Sequence, residues 1–88
     1  MTYRIEVKKT AAKALRKISK PDQKRIGEKI DSLAEDLPNP EATKMKGNNP
    51  FHKIRVGDYR IVYEIQDDIL VILIVKIGHR KDIYRNFL

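Results

Sequence analysis

Lys53, Arg55 and Arg60 stand at positions from which one short β-hairpin would present all three cations together. Phe51 to Val56 alternates as a strand, Gly57-Asp58 reads as a two-residue turn, and Tyr59 to Gln66 reads as the returning strand. Two-residue closure sets Val56 opposite Tyr59, Arg55 opposite Arg60, Ile54 opposite Ile61 and Lys53 opposite Val62. Side chains alternate along a strand, so Ile54, Val56, Tyr59, Ile61 and Tyr63 share a face that can be buried. The three cations crowd the other face. Like charges directly opposite each other destabilise a sheet, and an anion that joined them would remove that penalty. A phosphate group is the natural candidate.

Other elements must hold the hairpin in place. Tyr3, Ile5 and Val7 alternate with Arg4, Glu6 and Lys8, a first strand with one buried face. Thr10 can cap a short helix that carries Ala11, Ala14, Leu15 and Ile18 on one stripe. Pro21 suits the first turn of a second helix, whose stripe is Ile26, Ile30, Leu33 and Leu37 and which Pro38 ends. Its polar face (Lys24, Arg25, Glu28, Lys29, Asp31, Ser32, Glu35) reads as a solvated surface.

Pro38 to Pro50 reads as a loop holding Lys44, Met45 and Lys46. After the hairpin, a tight turn at Asp67-Asp68 leads into Ile69 to Ile77, apolar at nearly every position and so a central strand covered on both sides. Lys76 is out of place there, and marks a bulge or the solvent-facing end. Gly78 is expected to break the strand, and Asp82 to Leu88 to form a short C-terminal helix. The fold class is thus α+β: an N-terminal strand, a two-helix hairpin, then an antiparallel three-strand meander with the helices on one sheet face. The cations lie on the face left open.

Eighty-eight residues suit a single domain, residues 1–88, without room for a second core. With 19 lysines and arginines against 12 acidic residues, the net charge is +7. That balance favours nucleic acid, an anionic membrane surface or an acidic protein as partner. The absence of cysteine excludes disulfides and thiolate metal sites. The apolar run from Ile69 to Val75 is far short of the roughly 20 residues of a membrane-spanning helix. The chain starts on a strand pattern rather than a leader, so the expectation is a soluble cytoplasmic protein.

Two blocks carry a resemblance. One is Met45-Lys46-Gly47 followed by His52, Lys53, Ile54, Arg55, Val56, Gly57, Asp58, Tyr59, Arg60, Ile61, Val62 and Tyr63; the other runs from Gly78, His79, Arg80, Lys81, Asp82, Ile83 and Tyr84 to Arg85. In these blocks and in element order the chain resembles the RelE/ParE superfamily of toxins, and more closely its RelE branch. The resemblance implies a ribosome-dependent endoribonuclease that cuts mRNA in the A site without metal or other cofactor, by attack of a ribose 2′-OH on the adjacent phosphate.

By the same resemblance Lys53 and Arg55 match the basic pair of the first hairpin strand, and Arg60 the transition-state arginine. Arg80 matches the arginine near the leaving oxygen, and Tyr84 the tyrosine that stacks on a base. The expected partners are a small acidic RelB-like antitoxin, the 70S ribosome and mRNA, with operator DNA reached only through the antitoxin and no membrane. Two rivals stand beside this: a ParE-type inhibitor of DNA gyrase, and a non-catalytic RNA- or ribosome-binding module.

The chemistry of the residues is compatible. Asp67-Asp68 falls in a turn and Glu35-Asp36 at a helix end, and no carboxylate pair has metal-ligand spacing with a histidine. RNA supplies its own nucleophile, and fixed cations stabilise the charge that grows on the phosphoryl oxygens. Relatives often carry lysine at the position of Arg55, and arginine cannot serve as a base. The base is then Lys53, beside two guanidiniums that disfavour a third positive charge, or His79, of the type that titrates near neutrality. Lys44, Lys46, Phe51, Lys81 and Arg85 are candidates for RNA binding, Phe51 by stacking on a base. Tyr59, Tyr63 and His52 fall on the apolar face and read as packing residues.

Overall fold

The computed structural model describes residues 3–35, 43–45 and 47–83. Their elements are β1 (Arg4–Val7), α1 (Lys9–Arg16), α2 (Lys20–Glu35), β2 (Thr43–Lys44), β3 (Phe51–Val56), β4 (Tyr59–Gln66) and β5 (Val71–His79). The strands form one sheet in the order β1-β5-β4-β3-β2. β1 runs parallel to β5, and the other neighbours are antiparallel. This is the α+β arrangement that the sequence pattern implies.

Both helices cover one face of the sheet. Ile26, Ile30 and Leu33 of α2 and Ala11 of α1 are buried against Ile54, Val56, Ile61, Tyr63, Ile72, Ile74 and Ile77. Leu15 and Ile18 of α1 pack at the margin with Tyr3, Ile5, Tyr59 and Ile65. The 4- and 3-residue spacing in α2 puts its large apolar side chains on one stripe, and strand alternation gives the sheet its matching surface.

Four boundaries differ from expectation, each for a local reason. The helix α1 starts at Lys9 after an extended Lys8 with no side-chain cap, so Thr10 lies inside its first turn. What anchors this start is the sheet, since the Lys8 amide donates to the Ile74 carbonyl at 3.0 Å. The segment expected as loop contributes β2, with Thr43 opposite Lys53 and Lys44 opposite His52. Next, β5 begins at Val71 rather than Ile69, because Leu70 takes a left-handed φ of 54° to close the turn and leaves Ile69 58% exposed. A continuous apolar run hides such a turn.

Last, Gly78 does not break the strand, which continues to His79. A Cβ at Gly78 would stand 3.2 Å from Ile83 Cδ1. Gly78 pairs with Arg60, so that Cβ would point to the face away from the helices. Ile83 therefore folds back over the sheet face that was expected to be open, and is itself fully buried. The fold-back is held by the Ile83 amide donating to the His79 carbonyl at 2.9 Å and by the Arg80 amide donating to the Asp58 carbonyl at 2.8 Å. The C-terminal helix expected to run on to Leu88 lies largely outside the described residues.

Two outcomes follow from the packing. Replacing Ile83 by alanine removes a buried anchor and should cost about 2–5 kcal/mol in urea unfolding; an unchanged midpoint would show that the tail is not held there. His52 stacks on Tyr63 at 5.5 Å, with its Nδ1 buried and lacking a hydrogen-bond partner. Burial, and secondarily the charge of Lys44, lowers its pKa from the ordinary 6.5. The unfolded chain then binds the proton more readily, so the stability from neutral His52 is lost as pH falls below about 6.5. Between about pH 7.5 and 5, thermal midpoints should drop less in a His52→Phe variant than in the parent.

Candidate phosphate-binding site

The hairpin register is the one a two-residue turn dictates, with Arg55 opposite Arg60 and Lys53 opposite Val62. Gly57, the first turn residue, has a φ of +58°, a conformation that glycine adopts without steric cost. On the face away from the helices the pairs fall into rows across the sheet. One row is Thr43, Lys53, Val62 and Lys76; the next is Arg55, Arg60 and Gly78.

Lys76 joins this face because of a bulge. Val62 pairs with Lys76 and Tyr63 with Ile74, so Val75 is an extra residue in β5. Lys53 and Lys76 consequently flank Val62 from the two neighbouring strands, about 10 Å apart at the backbone by ordinary strand spacing. Val62 is fully buried between them. The polar side chain inside an apolar run had marked Lys76 as a bulge or a solvent-facing end, and the register shows the bulge; its place beside Lys53 was not foreseen.

Arg60 does not extend into solvent. Its Nη1 donates to the carbonyls of Gly57 at 3.3 Å and Tyr59 at 3.0 Å, which folds the guanidinium over the hairpin turn. Arg80 reaches the same turn through its backbone bond to Asp58. Lys53, Arg55 and Arg60 are thus brought together on one face, with exposed Arg80 beside their turn.

Other candidates lie elsewhere. His79 pairs with Tyr59 and meets its ring edge-on at 5.8 Å, which sets it on the helix side of the sheet. Its Nδ1 accepts a hydrogen bond from the Lys81 amide at 3.2 Å, leaving Nε2 as the other ring position. Lys81 is exposed in the turn after β5. Lys44 falls on the His52 side and donates from Nζ to the Asn49 carbonyl at 2.8 Å, away from the cationic face. Phe51 is on the cationic side, half-buried and opposite Glu64. Lys46, Tyr84 and Arg85 lie outside the described residues.

A second group was read as solvated surface. Arg25, Glu28, Lys29 and Ser32 of α2, with Arg55, Val56 and Gly57, line a cleft of about 390 Å³. Their spacing of i, i+3, i+4 and i+7 was the sign that they share one side of the helix. Chemically, the two groups together offer fixed positive charge with hydrogen-bond donors, an environment for phosphate oxygens rather than for an apolar ligand.

Comparison with known proteins agrees with the fold. The family model for the ParE toxin of type II toxin–antitoxin systems, parDE, matches residues 5–84. The mRNA interferase toxin RelE of Escherichia coli K12 is 28% identical over 83 residues, covering 92% of this chain and 86% of that protein. The archaeal RelE–RelB complex from Pyrococcus horikoshii contains a chain 31% identical, with a TM-score of 0.79 and coverage of 93% of this chain and 99% of the other. A RelB–RelE antitoxin–toxin complex from Methanococcus jannaschii gives 31% identity and a TM-score of 0.76, with coverage of 94% and 99%. Sequence and fold agree over nearly the full length, and the chain belongs to the RelE/ParE family of toxins of type II toxin–antitoxin systems.

Proposed function

We propose that this toxin is an mRNA interferase that cuts mRNA in the ribosomal A site. The observation that carries the reading is the cationic face, where Lys53, Arg55 and Arg60 share one side of the hairpin and Arg80 is tethered to its turn. The E. coli relative named as an mRNA interferase supports it.

The chemistry needs one proton acceptor and several fixed charges. Lys53, in its neutral form, takes the proton of the ribose 2′-OH. The 2′-oxygen forms a bond to phosphorus while the bond from phosphorus to the 5′-oxygen breaks, leaving a 2′,3′-cyclic phosphate. Arg55 and Arg60 stabilise the charge on the non-bridging oxygens, and Arg80 that on the leaving 5′-oxygen, which takes its proton from water. Lys53 serves as base in preference to His79, because His79 lies across the sheet against Tyr59. None of these steps uses a metal. In the cell the toxin is masked by a RelB-like antitoxin, whose acidic character would complement the cationic face; the solved complexes from Pyrococcus horikoshii and Methanococcus jannaschii contain RelB.

A second reading is inhibition of DNA gyrase, favoured by the family model being that of ParE. Toeprinting on translating ribosomes, run beside a gyrase supercoiling assay, separates the two. Discrete A-site cuts with unaffected gyrase are expected; intact mRNA with inhibited gyrase would reverse the assignment. Replacing Lys53 by methionine should slow cutting by ~10²–10⁴, the usual worth of a general base. Replacing His79 by phenylalanine should cost much less, and equal losses would return His79 to candidacy.

A further inference from the structure

Gly57 is where three arginines meet. Arg25 reaches from α2 so closely that a Cβ on Gly57 would stand 3.1 Å from its Nη2. Arg60 bonds the Gly57 carbonyl from the cationic face, and Arg55 lines the cleft on the α2 side of the same turn. Among the described residues, β2 pairs with His52 and Lys53 of β3 and not with residues 54–56. Arg55, paired with Arg60 on the sheet, also lines the cleft with Arg25 and Lys29, so positive charge continues from the hairpin to α2.

The cleft is lined by more basic than acidic side chains. Arg25, Lys29 and Arg55 line it against a single acid, Glu28. Arg25 also meets Asp22, but only through Nη1 at 3.4 Å in an exposed pair, the kind that contributes little. Ser32 donates its hydroxyl to the Lys29 carbonyl at 2.7 Å within the helix. A volume near 390 Å³ is ample for a phosphodiester with its flanking sugar atoms.

We infer that the cleft between α2 and the β3–β4 turn is a second phosphate site, which holds a phosphodiester of the same RNA strand a short distance from the cut. Arg25 and Lys29 grip the phosphate oxygens there. Arg55 stands between the two sites and links them. The inference rests on the RNA-cleaving reading and names how the strand is held beyond the reacting linkage. A grip of this kind fixes the strand's direction over the hairpin, so that the 2′-OH approaches Lys53 rather than the far side of the sheet.

The test uses the full chain and a single-stranded 2′-deoxy oligonucleotide, which lacks the nucleophile and cannot be cut. Binding is measured across salt concentrations for the parent and for an Arg25→Gln, Lys29→Gln double variant. Each lost phosphate contact on a single strand lowers the slope of log K against log salt by about 0.7, so the double variant should lose about 1.4. Arg25→Lys should keep most of the slope. The thermal midpoint should shift little, since both side chains lie on the solvent side of α2.

An unchanged slope, or no oligonucleotide binding by the parent, overturns the inference. Inorganic phosphate that perturbs the Gly57 amide while the slope stays constant would show a free-anion site, and overturns it as well. The two readings fail separately. A lost slope in a toxin that cuts no mRNA keeps the cleft and removes the nuclease; A-site cutting with an unchanged slope keeps the nuclease and removes the cleft.

Discussion

The pairing of Arg55 with Arg60 across a two-residue turn is the constraint on which the functional surface depends. Left to itself the pair is unfavourable, by a few tenths to about 1 kcal/mol for like charges across strands. It persists because the same register buries Ile54, Val56 and Ile61 on the opposite face. Each fully buried side chain of that size contributes about 1.5–3 kcal/mol. A slip of one residue would relieve the arginines and send all three apolar side chains to solvent. Burial wins by several-fold, so the core holds the charges in a place they would not choose. The site is preorganised by packing, not by its own interactions.

The bulge at Val75 extends the same logic to β5. Strict alternation from Ile72 and Ile74 would turn Lys76 towards the helices and Ile77 towards the cations. The extra residue restores both: Ile77 is buried in the core, while Lys76 stands beside Val62 on the charged face. Farther along, Gly78 has no side chain to fill the space beside Arg60, and Ile83 folds into it. The fold-back closes part of this face with an apolar cover. It also carries Arg80 to the hairpin turn through a single backbone bond to Asp58. Placement of Arg80 thus depends on a glycine and an isoleucine that carry no charge.

Periodicity made the helices, the hairpin and the face of each hairpin residue legible, because those features depend on spacing alone. The stripe Ile26, Ile30, Leu33 and the alternation around Ile54 and Ile61 needed no tertiary information. What escaped was set by contacts between distant segments. A strand of two residues, Thr43–Lys44, exists only because β3 offers it an edge. The start of α1 depends on Lys8 bonding the Ile74 carbonyl, and the persistence of β5 through Gly78 depends on Ile83 folding back. The charged residues of α2 carried no periodic signal of function, since a solvated face and a cleft wall have the same composition. His79 lies in the matched block, yet only the register shows that it faces Tyr59.

In the proposed reaction lysine and arginine divide the labour between two neighbouring rows of the sheet. Lys53 and Lys76 flank Val62, a side chain with no exposed surface. The neighbouring row holds only arginine, which keeps its charge throughout a reaction. Lysine, unlike arginine, is a side chain that can give up its proton and act as a base. An arginine at position 53 could not act in that way. In the proposed mechanism the division assigns fixed charge to one row and a removable proton to the other, on the side-chain chemistry of residues that the register places.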